Sequence, residues 1–395
     1  MLVQYIKYFT LFLFIFVSFN DAAATKYVGE PIIKLAFGLF MITHAKEFYE
    51  MINEPKTRPV KAFLIFLFTI SLVTVITYFV KQDQMYITDM FTISIMRMLS
   101  FFVIFIYVTY TKNFKLFLYM IWFSLIVSSI IAYNNDPFDE WTFRRSGGTE
   151  DPNEFAAQVL ATMFITYYLF KENRNWIFLI GSELLFFYTL IYAGSKTSFL
   201  VLIVLSIFIF IVKFKEIMSA IVTPKGLGAL LLFISIAIGG AWYMSGTSAA
   251  KGLQERSKKT GTMHERFVIW EAGADMIREN FLLGVGFGQF PKVSYRYINE
   301  YIPEEAYPSH NNFIKVFAES GVFSFLTYLL FIILLFTSKI KEIYKSDYFW
   351  IYVASLSTVL MSLTIPTLHH KDYWWILAMV SYVVYYYYKK DEDYI

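Results

Sequence analysis

Apolar segments of membrane-spanning length follow one another along almost the whole chain, separated by short polar connections. A helix that crosses a bilayer needs about 20 mostly apolar residues. About twelve segments meet this requirement, and they start near residues 3, 31, 61, 89, 115, 154, 175, 197, 226, 313, 348 and 372. The first is expected to be a retained helix rather than a cleaved signal peptide, because its apolar run is long and contains Lys7. The pattern predicts an all-α polytopic membrane protein.

One polar stretch of about 65 residues, from Ser245 to Asn312, interrupts this pattern. Loops of this length are usually functional. The chain is therefore divided into N-terminal transmembrane helices at 1–134, central transmembrane helices at 135–245, a large loop at 246–312 and C-terminal transmembrane helices at 313–395.

Composition agrees with a membrane protein, since 57% of the 395 residues are hydrophobic and only 16% are charged. The net charge of +3 is too small to indicate a nucleic-acid partner. The absence of cysteine excludes disulfides, thiolate metal sites and a cysteine nucleophile.

The distribution of basic residues predicts which loops face the cytoplasm. With the N-terminus inside, about 15 Lys and Arg residues fall in cytoplasmic segments and about 6 in the short segments outside. The large loop, the 135–153 loop and the His369-His370 turn then lie outside. The cytoplasmic connections are short and carry no nucleotide-binding glycine pattern after a strand, so an ATP-driven machine is not predicted.

A helix is predicted to begin in the large loop at Thr262, which with Glu265 fits a capping box. Arg266 would lie in its first turn, where a guanidinium and free backbone N–H groups favour a bound anion. The alternative is a solvated Arg266 paired with Glu265 or Asp275. The helix is predicted to be amphipathic and to lie on the membrane surface, with an apolar face formed by Phe267, Trp270, Ala274 and Ile277.

Two further motifs follow in the same loop. Gly284, Gly286 and Gly288 indicate a tight turn rather than a phosphate loop, because no strand precedes them. Ser309 is a candidate N-cap of the next helix, which places His310 in its first turn. A positive helix end lowers an imidazole pKa, so His310 should be neutral and able to accept a proton. The alternative is an interfacial histidine bonded to loop backbone.

Other cations are predicted on the same outer face. Lys196 lies between two spans, either in a functional site or snorkelling to the interface. Arg144 and Arg145 lie in the 135–153 loop, before a sequence that reads as a helix cap, Asp151-Pro152-Asn153-Glu154. No metal site is predicted, since the adjacent His369 and His370 would diverge on a regular helix. A cationic site at a membrane face suits a lipid-linked diphosphate, whose diphosphate is also a good leaving group.

The order of these motifs resembles the O-antigen ligase and O-antigen polymerase superfamily. The resemblance runs from Arg145 to Gly321 and rests on Gly148 with Asp151-Pro152-Asn153, Gly194-Ser195-Lys196, Arg266 with Trp270, Leu283 to Gly288, His310-Asn311 and Gly321. It implies a multi-helix GT-C-like fold with a large periplasmic loop. It also implies transfer of a glycan from undecaprenyl diphosphate to an acceptor hydroxyl, with inversion and with no metal or other cofactor.

The resemblance also assigns roles to residues. Arg266 matches the arginine that holds the diphosphate, and His310 matches the histidine that activates the acceptor, so these two are the expected catalytic residues. Lys196, Arg145 and Arg144 are expected to bind the diphosphate with Arg266. Lys196 stands where the family usually has Arg, and it keeps the charge but loses the bidentate fork.

The expected function is a polysaccharide polymerase in the bacterial inner membrane, with its active site facing the periplasm. Its acceptor would be another lipid-linked repeat unit, whereas a ligase, the close alternative, would transfer the glycan to lipid A-core. A transporter or flippase of lipid-linked oligosaccharide and a non-catalytic scaffold are alternatives of other classes. The expected partners are the undecaprenyl-diphosphate-linked donor, the glycan acceptor and membrane lipid, and a chain-length regulator is a further candidate.

Overall fold

The computed structural model describes residues 2–29, 31–52, 56–81, 87–134, 144–149, 151–171, 175–223, 261–298 and 307–392. Within these ranges the regular secondary structure consists of α-helices and two short 3-10 helices, at Ser294–Arg296 and Thr367–His369. The predicted all-α class is therefore confirmed for the part of the chain that is described.

The helices up to the large loop are mostly long and apolar. They are α1 (Leu2–Phe19), α2 (Asp21–Val28), α3 (Pro31–Thr43), α4 (Ala45–Ile52), α5 (Arg58–Lys81), α6 (Ile87–Thr111), α7 (Phe114–Asn134), α8 (Pro152–Phe170), α9 (Trp176–Ala193), α10 (Lys196–Val212) and α11 (Phe214–Ile221).

The helices of the large loop and of the C-terminal part follow. They are α12 (Gly261–Glu279), α13 (Phe290–Val293), α14 (Asn312–Thr337), α15 (Ile340–Tyr344), α16 (Phe349–Met361) and α17 (Lys371–Glu392).

The number of spans differs from the prediction. Five described helices, α1, α5, α7, α9 and α14, are long and apolar enough to cross a membrane. Four apolar helices are shorter, namely α3, α10, α16 and the apolar part of α6. The other predicted starts lie within a few residues of a helix start, but the one near residue 226 lies outside the described residues. The structure thus shows a helical membrane protein and does not support the count of twelve.

The helices pack around a large aromatic core. The most extensive helix–helix contacts join α5 with α14, α8 with α16 and α6 with α17. Trp374 and Trp375 of α17 are fully buried, and Phe63 of α5 packs on Phe101 of α6 with ring centroids 4.3 Å apart. Dispersion contacts of this kind hold membrane helices together, because lipid tails are as apolar as the side chains.

Apolar side chains of α9 and α10 remain exposed on the surface of the bundle. Among them Ile177 is 67% exposed on α9, and Ile211 is 68% exposed on α10. Surfaces of this composition are expected to face lipid rather than water. A second, smaller core instead holds α12 on the bundle, and it consists of Ile269, Met276, Val285, Phe290, Tyr307 and Ala318.

Candidate functional site

His310 lies immediately before α14, and the predicted cap is wrong by two residues. Asn311 is the N-cap, and its Oδ1 accepts hydrogen bonds from the N–H groups of Phe313 (2.9 Å) and Ile314 (3.1 Å). Ser309 instead accepts from the Asn311 N–H at 3.4 Å. His310 therefore lies outside the first turn, with a left-handed φ of 48° that is uncommon for a residue other than glycine.

Arg266 is near His310, but it lies deeper in its helix than predicted. Helix α12 begins at Gly261, so Thr262 is inside the helix rather than at the N-cap, and half-buried Arg266 is in the second turn. Asp275 pairs with Arg278 at 2.6 Å, so one of the two predicted partners of Arg266 is engaged elsewhere.

The side of α12 that packs on the bundle is not the apolar face predicted to lie on the membrane, and the membrane-surface location stays a prediction. Ile269, Ala272 and Met276 are buried, whereas Phe267 is 55% exposed. Trp270 is half-buried, and its Nε1 donates a hydrogen bond to the carbonyl oxygen of Ser309 at 3.1 Å. This bond ties the helix that carries Arg266 to the segment that carries His310.

The charge environment of His310 favours the neutral imidazole. Burial lowers the pKa of His310 most, the positive charge of Arg266 lowers it further, and the carboxylate of Asp151 opposes them, which leaves the pKa at about 4. The direction agrees with the sequence prediction, but the causes are burial and Arg266. At neutral pH His310 can therefore accept a hydrogen bond or a proton.

Asp151, at the start of α8, is the second charged residue that acts on His310. Its side chain accepts a hydrogen bond from the Asn153 N–H, and Pro152 occupies the first helical position, as the sequence predicted. Arg144 fixes this helix start, because its Nη2 donates to Asn153 Oδ1 and its Nε donates to the carbonyl oxygen of Ala193, both at 2.9 Å. Arg144 therefore joins the start of α8 to the end of α9.

Arg145 lies at the end of α9. Its backbone N–H donates to the carbonyl oxygen of Tyr192 at 3.0 Å, and its guanidinium carbon lies 6.0 Å from the centroid of the Tyr192 ring. The Nε atom is buried and has no hydrogen-bond partner among the described residues. A buried guanidinium donor of this kind is well suited to an anionic acceptor.

Lys196 is the exposed first residue of α10. The next residue, Thr197, accepts a hydrogen bond from Thr364 at 3.1 Å, in the turn that follows α16. In the same turn the carbonyl oxygen of Ser362 accepts from the backbone N–H of Asn312 at 2.9 Å. Lys196 and His310 are therefore placed at the same end of the helix bundle.

The side chain of Asn312 binds the following part of this turn. It is fully buried, donates to Thr367 Oγ1 at 2.9 Å and accepts from the Leu368 N–H at 3.1 Å. In the sequence, Asn312 marks only the end of the polar stretch that begins at Ser245. Its position after a candidate N-cap gives no sign that it bonds a segment 55 residues away.

His369 and His370 converge, which contradicts the expectation that they would diverge. His369 ends a 3-10 turn and His370 follows it, so the two do not lie on a regular α-helix, and their ring centroids are 4.0 Å apart. Together with Glu154 they offer three metal-ligand atoms within 4.8 Å of one another. However, Glu154 contacts His370 Nε2 at 2.6 Å, and Arg97 donates to the carbonyl oxygen of His369 at 2.7 Å.

These contacts are typical of a buried ion pair. Burial opposes the protonation of His370, but the Glu154 carboxylate outweighs it and raises the pKa of His370. Burial lowers the pKa of His369 well below its usual value. The carboxylate of Glu154 is thus more than the simple cap predicted from sequence, and the expectation of no metal stays a prediction.

The glycine-rich segment is a turn that docks on α14, which agrees with the favoured interpretation. Gly284, Gly286 and Gly288 all have positive φ. The N–H groups of Val285 and Gly286 donate to carbonyl oxygens of α14 at 2.9 Å each. Because protein acceptors already use these N–H groups, the turn does not form a phosphate cradle there.

Fold and site together define a multi-pass helical membrane protein that collects basic side chains and a neutral histidine at one end of its bundle. Residues 182–329 match a family model described as O-antigen ligase. This match covers less than half of the chain, and it confirms the resemblance to the O-antigen ligase and polymerase superfamily that was seen in the sequence.

The matched region includes Lys196, Arg266, the glycine turn, His310 and Gly321, whereas Arg144 and Arg145 precede it. This family indicates glycan transfer of the ligase or polymerase type, with lipid-linked glycan substrates in a membrane. No curated protein matches the chain.

Proposed function

We propose that this protein is a polysaccharide polymerase of the bacterial inner membrane, with about twelve spans and its site on the periplasmic side. The donor would be a glycan on undecaprenyl diphosphate, and the acceptor the hydroxyl of another lipid-linked repeat unit. The observation that carries the proposal is the neutral His310 beside Arg266, at the end of the bundle that also holds Lys196 and Arg145.

In this mechanism the acceptor oxygen attacks the anomeric carbon of the donor from the side opposite the diphosphate. The new glycosidic bond forms while the bond from the anomeric carbon to the diphosphate oxygen breaks. The electron pair leaves with undecaprenyl diphosphate, whose charge Arg266 stabilises, and the hydroxyl proton passes to His310. Inversion at the anomeric carbon follows from the single displacement.

The low pKa of His310 makes the imidazole a weak base in the empty site, since a general base works best with a pKa near the working pH. A bound diphosphate would compensate the positive charge of Arg266. The pKa of His310 would then rise, and the imidazole would become a better proton acceptor when the donor is in place. The same pair of residues thus couples donor binding to acceptor activation.

The direct test replaces each residue and a matched control. His310→Ala and Arg266→Ala should each abolish glycan transfer in membranes that contain the same amount of protein. His264→Ala and Arg278→Ala change exposed residues of α12, and they should keep most of the activity. Full activity of His310→Ala or Arg266→Ala would remove that residue from the mechanism.

Lys196 is tested by charge rather than by size. If it binds the diphosphate, Lys196→Arg should retain transfer and Lys196→Ala should lose at least tenfold in rate, about 1.4 kcal/mol. Equal activity of the two variants in a membrane transfer assay would show that Lys196 does not bind the diphosphate.

Polymerase and ligase differ only in the acceptor, so a deletion strain separates them. Lipopolysaccharide with a single repeat on the core, and no long lipid-linked chains, would identify a polymerase. Bare core with long glycan chains accumulating on the carrier lipid would identify a ligase and overturn the proposal.

A further inference from the structure

A groove lies between the last turns of α7 and α9, at the end of the bundle where Arg145 is found. Its volume is about 270 Å³, and the atoms exposed within it are apolar. The side chains that line it include Ile130, Ala132, Tyr133, Leu185, Tyr188 and Tyr192. The groove is therefore a slot between two helices that both carry lipid-facing residues.

Three tyrosines, Tyr133, Tyr188 and Tyr192, form an aromatic wall of this groove. The Tyr188 hydroxyl donates a hydrogen bond to the Tyr192 hydroxyl at 2.7 Å, so its proton is used within the wall rather than offered to the groove. Tyr133 lies with its ring centroid 6.4 Å from each of the other two rings. Such a wall presents ring faces and edges, which suit an unsaturated hydrocarbon chain.

The cation next to the groove distinguishes it from an ordinary lipid-facing crevice. Arg145 is bonded through its backbone to Tyr192, and its guanidinium is directed over that ring, with a buried Nε that has no partner among the described residues. The adjacent Arg144 bonds Asn153 at the start of α8. Asp151, which caps that helix, is one of the charges that act on His310.

We propose that this groove holds the part of the donor's polyprenyl tail nearest the diphosphate, while Arg145 binds the diphosphate itself. The inference rests on the proposed function and adds the location of the lipid. An apolar slot ending at a guanidinium matches a ligand with a hydrocarbon tail and an anionic head. The path from Arg145 through Arg144 and the start of α8 leads the head toward His310.

Photo-crosslinking tests the groove without requiring catalysis. A benzophenone amino acid placed at Leu185, inside the groove, should capture radiolabelled undecaprenyl diphosphate in nanodiscs. The same group at the neighbouring Leu184, which is 45% exposed and does not line the groove, should capture it at least tenfold less. Excess unlabelled undecaprenyl diphosphate should suppress capture at Leu185, and excess phosphatidylglycerol should not.

Equal capture at the two positions, absence of capture at Leu185, or equal competition by phosphatidylglycerol would overturn the inference. Arg145→Gln should weaken capture at Leu185 if the guanidinium holds the diphosphate, and unchanged capture would remove Arg145 from the site. Because the probe carries no glycan, capture can succeed even if the protein proves not to be a polymerase. The experiment can therefore reject the lipid-binding groove without rejecting the polymerase function, and the reverse also holds.

Steady-state kinetics of two tryptophan variants of the full-length protein provide a second test. Leu185→Trp fills the groove and should raise the KM for the lipid-linked donor at least tenfold with little change in kcat. Leu184→Trp adds the same side chain outside the groove and should leave both constants unchanged. An unchanged KM in properly inserted Leu185→Trp would contradict the proposal.

Discussion

Replacing Gly321 with Ala should displace the turn that follows α12 and docks on α14. Gly321 interrupts α14 with φ 69° and ψ −177°, a backbone conformation that only glycine adopts readily. A Cβ atom at this position would lie 2.1 Å from the carbonyl oxygen of Leu282 and 2.8 Å from the backbone nitrogen of Leu283. The obstacle is backbone, so rotation of a side chain cannot relieve it.

The cost has two parts that can be worked from the structure. A residue other than glycine in this region of φ and ψ costs about 1–3 kcal/mol. To restore a normal carbon–oxygen contact of about 3.3 Å, the turn must also move by about an ångström. This movement breaks the 3.0 Å hydrogen bond from the Val322 N–H to the carbonyl oxygen of Phe281, worth about 0.5–1.5 kcal/mol. The sum is about 1.5–4.5 kcal/mol.

Thermal unfolding of the protein purified in detergent measures this loss. Gly321→Ala should unfold several degrees below the unchanged protein, and transfer should fall because α12, with Arg266, is displaced from His310. Gly181→Ala is the matched control: Gly181 lies in α9, and a Cβ there would meet no atom within 4 Å. If Gly321→Ala unfolds within a degree of Gly181→Ala, the backbone contact does not constrain the turn and the reasoning is refuted.

Two further predictions concern the pKa of His310 and the hydrogen bonds of the nearby Asn312. Arg266→Gln removes a positive charge, so the pKa of His310 should rise above about 4 yet stay below 6.5, because burial is the larger cause of the low value. Histidine hydrogen–deuterium exchange measures this pKa. An unchanged pKa would show that the charge of Arg266 does not reach His310. Asn312→Ala leaves the Leu368 N–H and the Thr367 hydroxyl without their partner, so the unfolding free energy should fall by about 2–4 kcal/mol, whereas a change below about 0.5 kcal/mol would refute the role of these bonds.

The hydropathy pattern predicted where the helices begin, but it predicted the number of membrane spans less well. It detects where apolar runs begin, and the described helix starts agree with those runs. The number of spans depends on where each helix stops. The segment starting near residue 31, for example, ends as a 13-residue helix at Thr43, and a second helix begins at Ala45. A run of apolar residues in the sequence gives little information about where a helix is interrupted within it.

The local geometry of the site was predicted only where a single segment decides it. The cap at Asp151 follows from four consecutive residues, and the structure has it as predicted. The cap before α14 was misplaced because Ser309 and Asn311 are both good N-caps, and tertiary contacts decide between them. His369 and His370 were misjudged because the turn after α16 follows contacts with Asn312 and Arg97 rather than helical periodicity.

The chemistry of His310 shows why residue identity alone does not define the site. Its pKa depends on burial, on Arg266 in the large loop and on Asp151 at the start of α8, three contributions from distant parts of the chain. Sequence can nominate each charge, but only the packing of α8, α12 and α14 brings them together. If a diphosphate binds beside Arg266, its negative charge offsets the effect that the positive guanidinium has on His310. The proton affinity of His310 should therefore depend on the bound donor, and the His310 pKa measured by hydrogen–deuterium exchange should rise when undecaprenyl diphosphate is added to the unchanged protein but not to Arg266→Gln.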